Sequence, residues 1–138
     1  MFEQGGMQSA TITPENFSTI EWHDNYFKYC NFEGLIPSGE HVDSDFNACS
    51  FKDIDWYWGL FNTSNFIECR FENCIFRGSG FPDCKFVECI FTNCQFLKDN
   101  LNAECTFESA IAYGCQLENS VGFGALIVGA PRPTTLFK

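Results

Sequence analysis

Large apolar residues recur at every fifth position of this chain, and the positions between them are mostly polar. The longest unbroken run is Phe46, Phe51, Trp56, Phe61, Phe66, Phe71, Phe76, Phe81, Phe86, Phe91, Phe96 and Leu101. After one added residue the frame resumes at Phe107, Ala112 and Leu117, and an upstream frame runs through Ile12, Phe17, Trp22, Phe27 and Phe32. Only Phe2, Phe123 and Phe137 of the 17 Phe leave this pattern.

Small residues follow a second register, two positions before each large one. All 9 Cys occupy it: Cys30, Cys49, Cys69, Cys74, Cys84, Cys89, Cys94, Cys105 and Cys115. Ser44, Gly59, Ser64, Ser79 and Ala110 fill other small positions. The exceptions are Ile54 and Asp99 and, upstream, Glu15, Ile20 and Asn25. The repeating unit is therefore small-x-large-x-x.

A period of five matches neither a helix, which repeats at 3.6, nor a flat strand, which repeats at 2. A chain that turns a corner every five residues satisfies it, because each side then sends one large and one small residue inward. Four sides make a coil of twenty residues, and coils stack at about 4.8 Å. The large residues are then expected in columns, among them Phe46–Phe66–Phe86, Phe51–Phe71–Phe91, Trp56–Phe76–Phe96 and Phe61–Phe81–Leu101.

The segment NFIECRFENCIFRGSGFPDCKFVECIFTNCQF resembles the pentapeptide-repeat family in its Cys/Phe-rich form. That resemblance implies an all-β fold, a right-handed quadrilateral β-helix, here of about five coils. The predicted organisation is an N-terminal extension (1–11), a β-helix (12–117) with a loop break near 33–45, and a C-terminal cap or homodimerisation tail (118–138). The predicted structural core comprises Phe46, Phe51, Phe66, Phe71, Phe76, Phe86, Phe91, Phe96, Cys49, Cys69 and Cys89.

The cysteines admit three interpretations. Zinc sites group their ligands in short knuckles, whereas Cys84, Cys89 and Cys94 are expected on different sides of the coil. A disulfide framework cannot pair an odd number of thiols completely, and column neighbours have parallel Cβ vectors. Buried thiols that act as small apolar fillers fit the register best. We therefore predict no metal site and no cofactor, and reduced thiols agree with a cytoplasmic location.

The amino-acid composition argues against several classes of protein. The chain has 138 residues, with 18 Asp+Glu against 8 Lys+Arg and a net charge of −10. This balance argues against direct nucleic-acid binding, which requires Lys and Arg to neutralise phosphates. An aromatic content of 17% argues against disorder. We expect no membrane-spanning segment and no secretory signal, because no apolar run is long enough and the N-terminus lacks a basic stretch.

Catalysis has little support in the sequence. His41 precedes Asp43 and Ser44, but three neighbouring residues of an expected loop do not supply the geometry of a triad. The glycines of GFGALIVG lack the strand–turn–helix setting of a phosphate-binding loop. We predict that the protein is not an enzyme.

Because no catalytic site is predicted, we expect the function to depend on residues that point outward from the coil. Acids concentrate in residues 1–55, while Arg70, Arg77, Lys85 and Lys98 lie beyond them. Tyr57 and Trp58 occupy outward positions, so with Asp43, Asp45, Asp53 and Asp55 they form the predicted partner-binding set. An alternative is that both aromatics pack beneath the expected loop at 35–43. Ile67 and Val87 are a weaker candidate for an apolar strip.

The sequence therefore predicts a protein-binding β-helix that neutralises or regulates a protein partner, with an immunity protein against a toxin as the leading candidate. Some pentapeptide-repeat proteins resemble duplex DNA in shape and charge and bind DNA gyrase, so a DNA-mimicking modulator of a topoisomerase is the alternative. A structural scaffold is the third. About five coils would extend only about 25 Å, which is short for a DNA mimic.

Overall fold

The computed structural model describes residues 6–20 and 22–122. In chain order its strands are β1 (Met7–Gln8), β2 (Thr11–Ile12), β3 (His23–Lys28), β4 (Asn31–Glu33), β5 (His41–Asn47), β6 (Ser50–Lys52), β7 (Asp55–Tyr57), β8 (Leu60–Phe61), β9 (Asn65–Ile67), β10 (Arg70–Glu72), β11 (Ile75–Arg77), β12 (Lys85–Val87), β13 (Ile90–Thr92), β14 (Gln95–Leu97), β15 (Ile111–Tyr113) and β16 (Gln116–Glu118). A short 3-10 helix spans Phe17–Thr19.

The strands stack in parallel on the sides of a four-sided β-solenoid, as the five-residue period predicts. Side 1 has the order β1-β3-β5-β9-β12-β15, and side 2 has β2-β4-β6-β10-β13-β16. Side 3 contains β7-β11-β14. Side 4 is built from β8, the start of β5 and the bridges Leu60↔Gly80 and Gly80↔Thr106. All-parallel pairing across non-consecutive strands is the topology of a coil that returns to each side once per turn.

The large residues fill the axis in columns of stacked rings. Phe46 and Phe66 stack at 4.9 Å between ring centroids, Phe51 and Phe71 at 4.7 Å, and Phe76 and Phe96 at 4.8 Å. Neighbouring sides meet edge to face, as Phe66 and Phe71 do at 5.6 Å. All the predicted core residues are buried: Phe46, Phe51, Phe66, Phe71, Phe76, Phe86, Phe91, Phe96, Cys49, Cys69 and Cys89.

The small register has a hydrogen-bonding reason as well as a steric one. Each thiol donates to a main-chain carbonyl of the preceding coil, and that carbonyl belongs to a large-position residue; Cys74 to Phe51 (3.3 Å) and Cys89 to Phe66 (3.2 Å) are examples. Ser44 and Ser64 donate in the same way to the carbonyls of Trp22 and Val42. A small side chain with a donor therefore suits the position, and all 9 Cys are free thiols.

Corners are turned by left-handed residues, most of which lie two positions after a large one. Asp53, Asn73, Asp83 and Asn93 have φ between 55° and 57°. Asn and Asp tolerate this region better than most residues. Trp58 and Thr63 adopt it as well, with φ 58° each, although a bulky or β-branched side chain disfavours it. The corner geometry therefore overrides the local preference at these two positions.

Residues 33–45, expected as a loop break, are instead part of the coil. Leu35, Pro37 and Val42 face inward, and the Asp55 N–H donates to the Leu35 carbonyl. Strand β5 runs straight for seven residues with alternating burial, so the step from Val42 to Phe46 is four residues rather than five. This coil is one residue short, and the aromatic rings of Trp22 and Trp56 meet across it at 6.1 Å.

The coil also includes part of the expected N-terminal extension, because Met7 pairs with Phe27 and Thr11 with Asn31. At the other end, Ser120 and Val121 continue the coil, and Val121 bridges to Gln95 on side 3. The predicted C-terminal cap lies outside the described residues beyond Gly122, and its role stays a prediction.

Candidate protein-binding surface

A loop of six extra residues, 98–103, leaves the coil between side 3 and side 4. Phe86 pairs with Ala112 and Phe81 stacks on Phe107, so this coil contains 26 residues instead of twenty. Leu101, expected in the column of Phe61 and Phe81, is instead 77% exposed in this loop. Phe107 takes its place at 5.0 Å from Phe81, and Cys105 still occupies the small position. The expected column was therefore wrong at its last member.

Asp99 organises the loop rather than filling a small inward position. Its carboxylate accepts the main-chain N–H groups of Leu101 and Ala103, both at 2.8 Å. The Ala103 N–H contributes most to holding the pKa of the Asp99 carboxyl below its usual value, and Trp58 and Leu101 add to this. Asp99 thus links Leu101 and Ala103 within the loop through these two hydrogen bonds.

Tyr57 and Trp58 support this loop from side 3. The Trp58 indole N–H donates to Asp99 Oδ2 at 2.6 Å, and the Asn100 N–H donates to the Tyr57 hydroxyl at 3.1 Å. The two rings meet edge to face at 4.5 Å, and Trp58 is 41% exposed. The outward aromatics therefore contact the loop at 98–103, which sequence reasoning missed. The main chain of Tyr57 bridges to Ser38 in the segment 35–43, but the side chains of Tyr57 and Trp58 form hydrogen bonds with the loop at 98–103.

The four predicted acids do not share one surface. Asp55 lies on side 3, where its carboxylate accepts from Arg77 Nε at 3.2 Å. Asp53 lies at the corner of sides 2 and 3 and accepts from Asn73. Asp45 is on side 1 and accepts from Asn65, while Asp43 is on side 4 and pairs with His23 at 3.2 Å. Only Asp55 joins Tyr57 and Trp58, because the coil turns a corner every five residues.

Exposed apolar side chains and the loop at 98–103 occur together on side 3. Among the described residues, the exposed large hydrophobics on or beside it are Ile36, Trp58, Leu101 and Val121. Ile75 and Leu97 are half-buried there, on β11 and β14. We call Ile36, Tyr57, Ile75, Leu97 and Val121, together with Trp58 and Leu101, the side 3 surface.

Ile67 and Val87 stack on side 1, where Ile67 pairs with Val87 and Val87 with Tyr113. Ile67 is 37% and Tyr113 43% exposed. This strip lies on the side of the coil opposite side 3. In the described part of the chain no loop projects beside it, so it is the weaker candidate.

The residues considered for a triad do not form one. Ser44 is 3% exposed, and its hydroxyl donates to the Trp22 carbonyl. Asp43 faces His23 and accepts the Asp24 N–H. Within residues 6–20 and 22–122, no group of three or more His, Cys, Asp or Glu side chains is placed to hold a metal ion.

In the part of the chain that the structure describes, no helix has the length and apolarity needed to cross a membrane. A half-open cavity of about 280 Å³ lies beside the loop, lined by Phe96, Leu97, Lys98, Glu104, Cys105 and Gly122.

Comparison with known proteins gives a family match over part of the chain and a similar fold. Residues 61–96 match the family described as pentapeptide repeats, in eight copies. No curated protein matches the chain. A solved structure of trypsin-treated QnrB1 (R167E), a plasmid-mediated fluoroquinolone resistance protein, is similar at TM-score 0.51 and 13% identity, over 86% of this chain and 54% of that chain. The chain thus spans about half of that structure's length. Full-length QnrB1 aligns at TM-score 0.32 and 13% identity, over 96% of this chain and 93% of that one.

Proposed function

We propose that this chain is a pentapeptide-repeat protein and a non-catalytic, protein-binding β-helix that neutralises or regulates a protein partner through its side 3 surface. The observation that carries the proposal is the loop at 98–103, which Asp99, Tyr57 and Trp58 hold in place while Leu101 stays 77% exposed. A cytoplasmic location and the lack of enzymatic activity belong to the same proposal.

The loop supports this function because it adds no packing to the core. Regular repeats would join Phe96 to Phe107 in five residues, and the extra six contribute no inward side chain. Leu101 and Trp58 together place apolar surface in water beside the half-buried Tyr57. Aromatic and aliphatic side chains of this kind dominate the binding energy at protein interfaces. A rigid loop that presents them favours a binding role over a purely structural one.

The finer form of the proposal is an immunity protein that blocks a toxin. The net charge of −10 supports it, because acidic inhibitors associate rapidly with basic partners. Co-expression with the product of a neighbouring toxin gene tests this form. Rescue of growth by the wild type, and not by the Tyr57→Ala/Trp58→Ala variant, is the expected result.

The alternative is a DNA-mimicking modulator of DNA gyrase. The observation that favours it is the charge of side 4, where Asp43 and Glu108 point outward and Asp24 and Asp83 lie at the corner with side 1. The described outward residues of this side contain no Lys or Arg. Against it, Arg70, Arg77 and Lys85 interrupt the acidic field on the other three sides. A gyrase supercoiling assay that excess protein leaves unchanged would remove this alternative.

The experiment for the proposal itself compares affinity capture from lysate by three proteins. Wild type is expected to recover a partner that the Tyr57→Ala/Trp58→Ala variant recovers about tenfold less, because the loop loses both of its side 3 hydrogen bonds. Tyr29→Ala is the matched control, since Tyr29 is a 52% exposed aromatic at the corner of sides 1 and 2, away from side 3. Equal recovery by all three proteins would show that the side 3 surface is not the binding site.

A further inference from the structure

The apolar residues of side 3 form a zigzag along the coil axis. Strand pairing aligns Asp55, Ile75 and Gln95 in one outward column, and Tyr57, Arg77 and Leu97 in the other. Ser38 bridges to Tyr57 and Val121 bridges to Gln95, which adds Ile36 and Val121 to the ends of the first column. Reading one coil at a time, the apolar residue alternates between columns: Ile36, Tyr57, Ile75, Leu97, Val121.

The alternate positions of the same two columns are polar, and their charges pair within the protein. Arg77 Nε lies 3.2 Å from Asp55 Oδ1, on the diagonal between two apolar positions. At the edge of side 3, Lys98 Nζ lies 3.9 Å from Glu104 Oε2. Asp99 is directed to N–H groups of its own loop and to Trp58. Within the two outward columns of the described residues, the zigzag is therefore an apolar seam whose one acid and one base, Asp55 and Arg77, pair with each other, in a chain of net charge −10.

The spacing of this seam matches that of an amphipathic helix. Coils advance by about 4.8 Å, so five coils place five apolar residues over about 19 Å. The a and d positions of a heptad also alternate across a seam and advance by about 5.3 Å from one position to the next, or about 21 Å over five positions. A helix laid parallel to the coil axis can therefore contact every member of the zigzag, with a mismatch of about 2 Å over its whole length.

The width of the seam favours a narrow occupant over a second copy of this chain. Two outward columns lie about 7 Å apart, so the seam, on the order of 200 Å², is narrower than the diameter of one helix, about 10–12 Å, whereas a second copy in a stable interface would bury about 800 Å² per partner. A single helix of about four turns has the length of the seam. The loop at 98–103 stands along one edge, where Leu101 is exposed to contact the flank of such a helix.

We propose that the side 3 surface binds an amphipathic helix of the partner, through an uncharged aliphatic a/d stripe that packs on the zigzag of Ile36, Tyr57, Ile75, Leu97 and Val121. This inference rests on the proposed function and specifies the partner element that the surface takes. Because the contacts are apolar and the two charges within the outward columns pair with each other, the affinity should change little between about 50 mM and about 500 mM salt. A DNA-mimicking interface would instead weaken steeply with salt.

The test uses a fluorescein-labelled synthetic peptide of about 18 residues, with leucine at a and d and alanine, glutamine and serine elsewhere. Fluorescence anisotropy with the full chain is expected to show saturable binding, and a scrambled peptide of the same composition is the control. Ile75→Glu should weaken binding about tenfold or more, whereas Ile67→Glu, the same change on side 1, should leave it unchanged. Leu97→Glu is a second variant on the seam, and circular dichroism checks the fold of each.

Two results would overturn the inference: equal binding of the scrambled peptide, or equal effects of Ile75→Glu and Ile67→Glu. Competition separates this failure from that of the proposed function. Suppose that wild type captures a partner, that the Tyr57→Ala/Trp58→Ala variant does not, and that the peptide fails to displace this partner. The proposed function would then stand, and only the inference of a helix as the bound element would be rejected.

Discussion

Phe81 and Phe107 stack with their ring centroids 5.0 Å apart, although the coil between them contains six residues more than its neighbours. The extra residues leave the coil after Leu97 and return before Glu104, so the core on both sides keeps its register. Fold and loop are therefore separable parts of this molecule.

Deletion of residues 98–103 should leave the β-helix folded. The shortened chain joins Leu97 to Glu104, which restores a five-residue step from Phe96 to Phe107 and keeps Cys105 two positions before the large residue. The deletion removes the stabilising Trp58–Asp99 hydrogen bond, and it also removes the entropic cost of closing the loop. These two effects nearly cancel, so we expect a change in unfolding free energy within about 1 kcal/mol. Urea unfolding followed by circular dichroism measures it. Loss of the β-sheet signal would refute the separation of loop and core.

Truncation of a core ring should destabilise the protein far more than truncation of the loop. Phe71 is 3% exposed and stacks on Phe51 at 4.7 Å and on Phe91 at 4.6 Å. Phe71→Ala should cost about 3–5 kcal/mol of unfolding free energy. Leu101→Ala, the matched control in the exposed loop, should cost less than about 0.5 kcal/mol. Similar losses for the two variants would contradict the assignment of Leu101 to the surface.

The thiols should be protected from reagents in the folded protein. Eight of the Cys are buried, and Cys105 is the half-buried exception. Burial raises the pKa of the Cys105 thiol too, so its reaction is expected to be slow. A chromogenic disulfide reagent at pH 8 should therefore modify at most one thiol quickly, and all 9 after denaturation. Rapid reaction of several thiols in the folded state would contradict the buried register.

Alkaline pH should destabilise the fold through Cys84. Burial raises the pKa of this thiol from 9.0 to about 12, so the unfolded chain loses the proton first. The stabilising contribution is thus complete below about pH 9 and is lost as pH rises towards 12. At pH 10.5 the loss from this thiol is roughly 2 kcal/mol, at 1.36 kcal/mol per pH unit.

The matched variant for this pH effect is Cys84→Ser, because Ser44 and Ser64 occupy the same column and donate to the equivalent carbonyls. Urea unfolding at pH 8 and pH 10.5 should show a smaller alkaline loss for Cys84→Ser than for wild type. An identical loss in both proteins would mean that Cys84 does not contribute.

The five-residue register could be predicted from sequence because it determines which side chains enter the axis. That explains why every predicted core Phe and Cys is buried. The shortened coil could not be predicted, since Pro37 and Val42 are not large aromatics and their inward direction depends on strand pairing with Trp56 and Phe61.

The loop at 98–103 could not be predicted from sequence because of a coincidence of spacing. Leu101 lies five residues after Phe96 and is apolar, so it continues the pattern in sequence while it lies outside the coil in space. The register alone identifies Tyr57 and Trp58 as outward residues. Their bonds to Asn100 and Asp99 join residues more than forty positions apart, which no local pattern in a single sequence reveals.

The most direct test of a binding function on side 3 is the affinity of the loop-deleted protein, lacking residues 98–103, for the partner that wild type captures. This variant removes Leu101 and the loop supported by Tyr57 and Trp58 while it preserves the stacked core, so a change in affinity cannot be attributed to unfolding once circular dichroism matches wild type. Isothermal titration calorimetry should show binding at least about tenfold weaker than that of wild type. Equal affinity of the two proteins would contradict the proposal that the loop and side 3 form the binding surface.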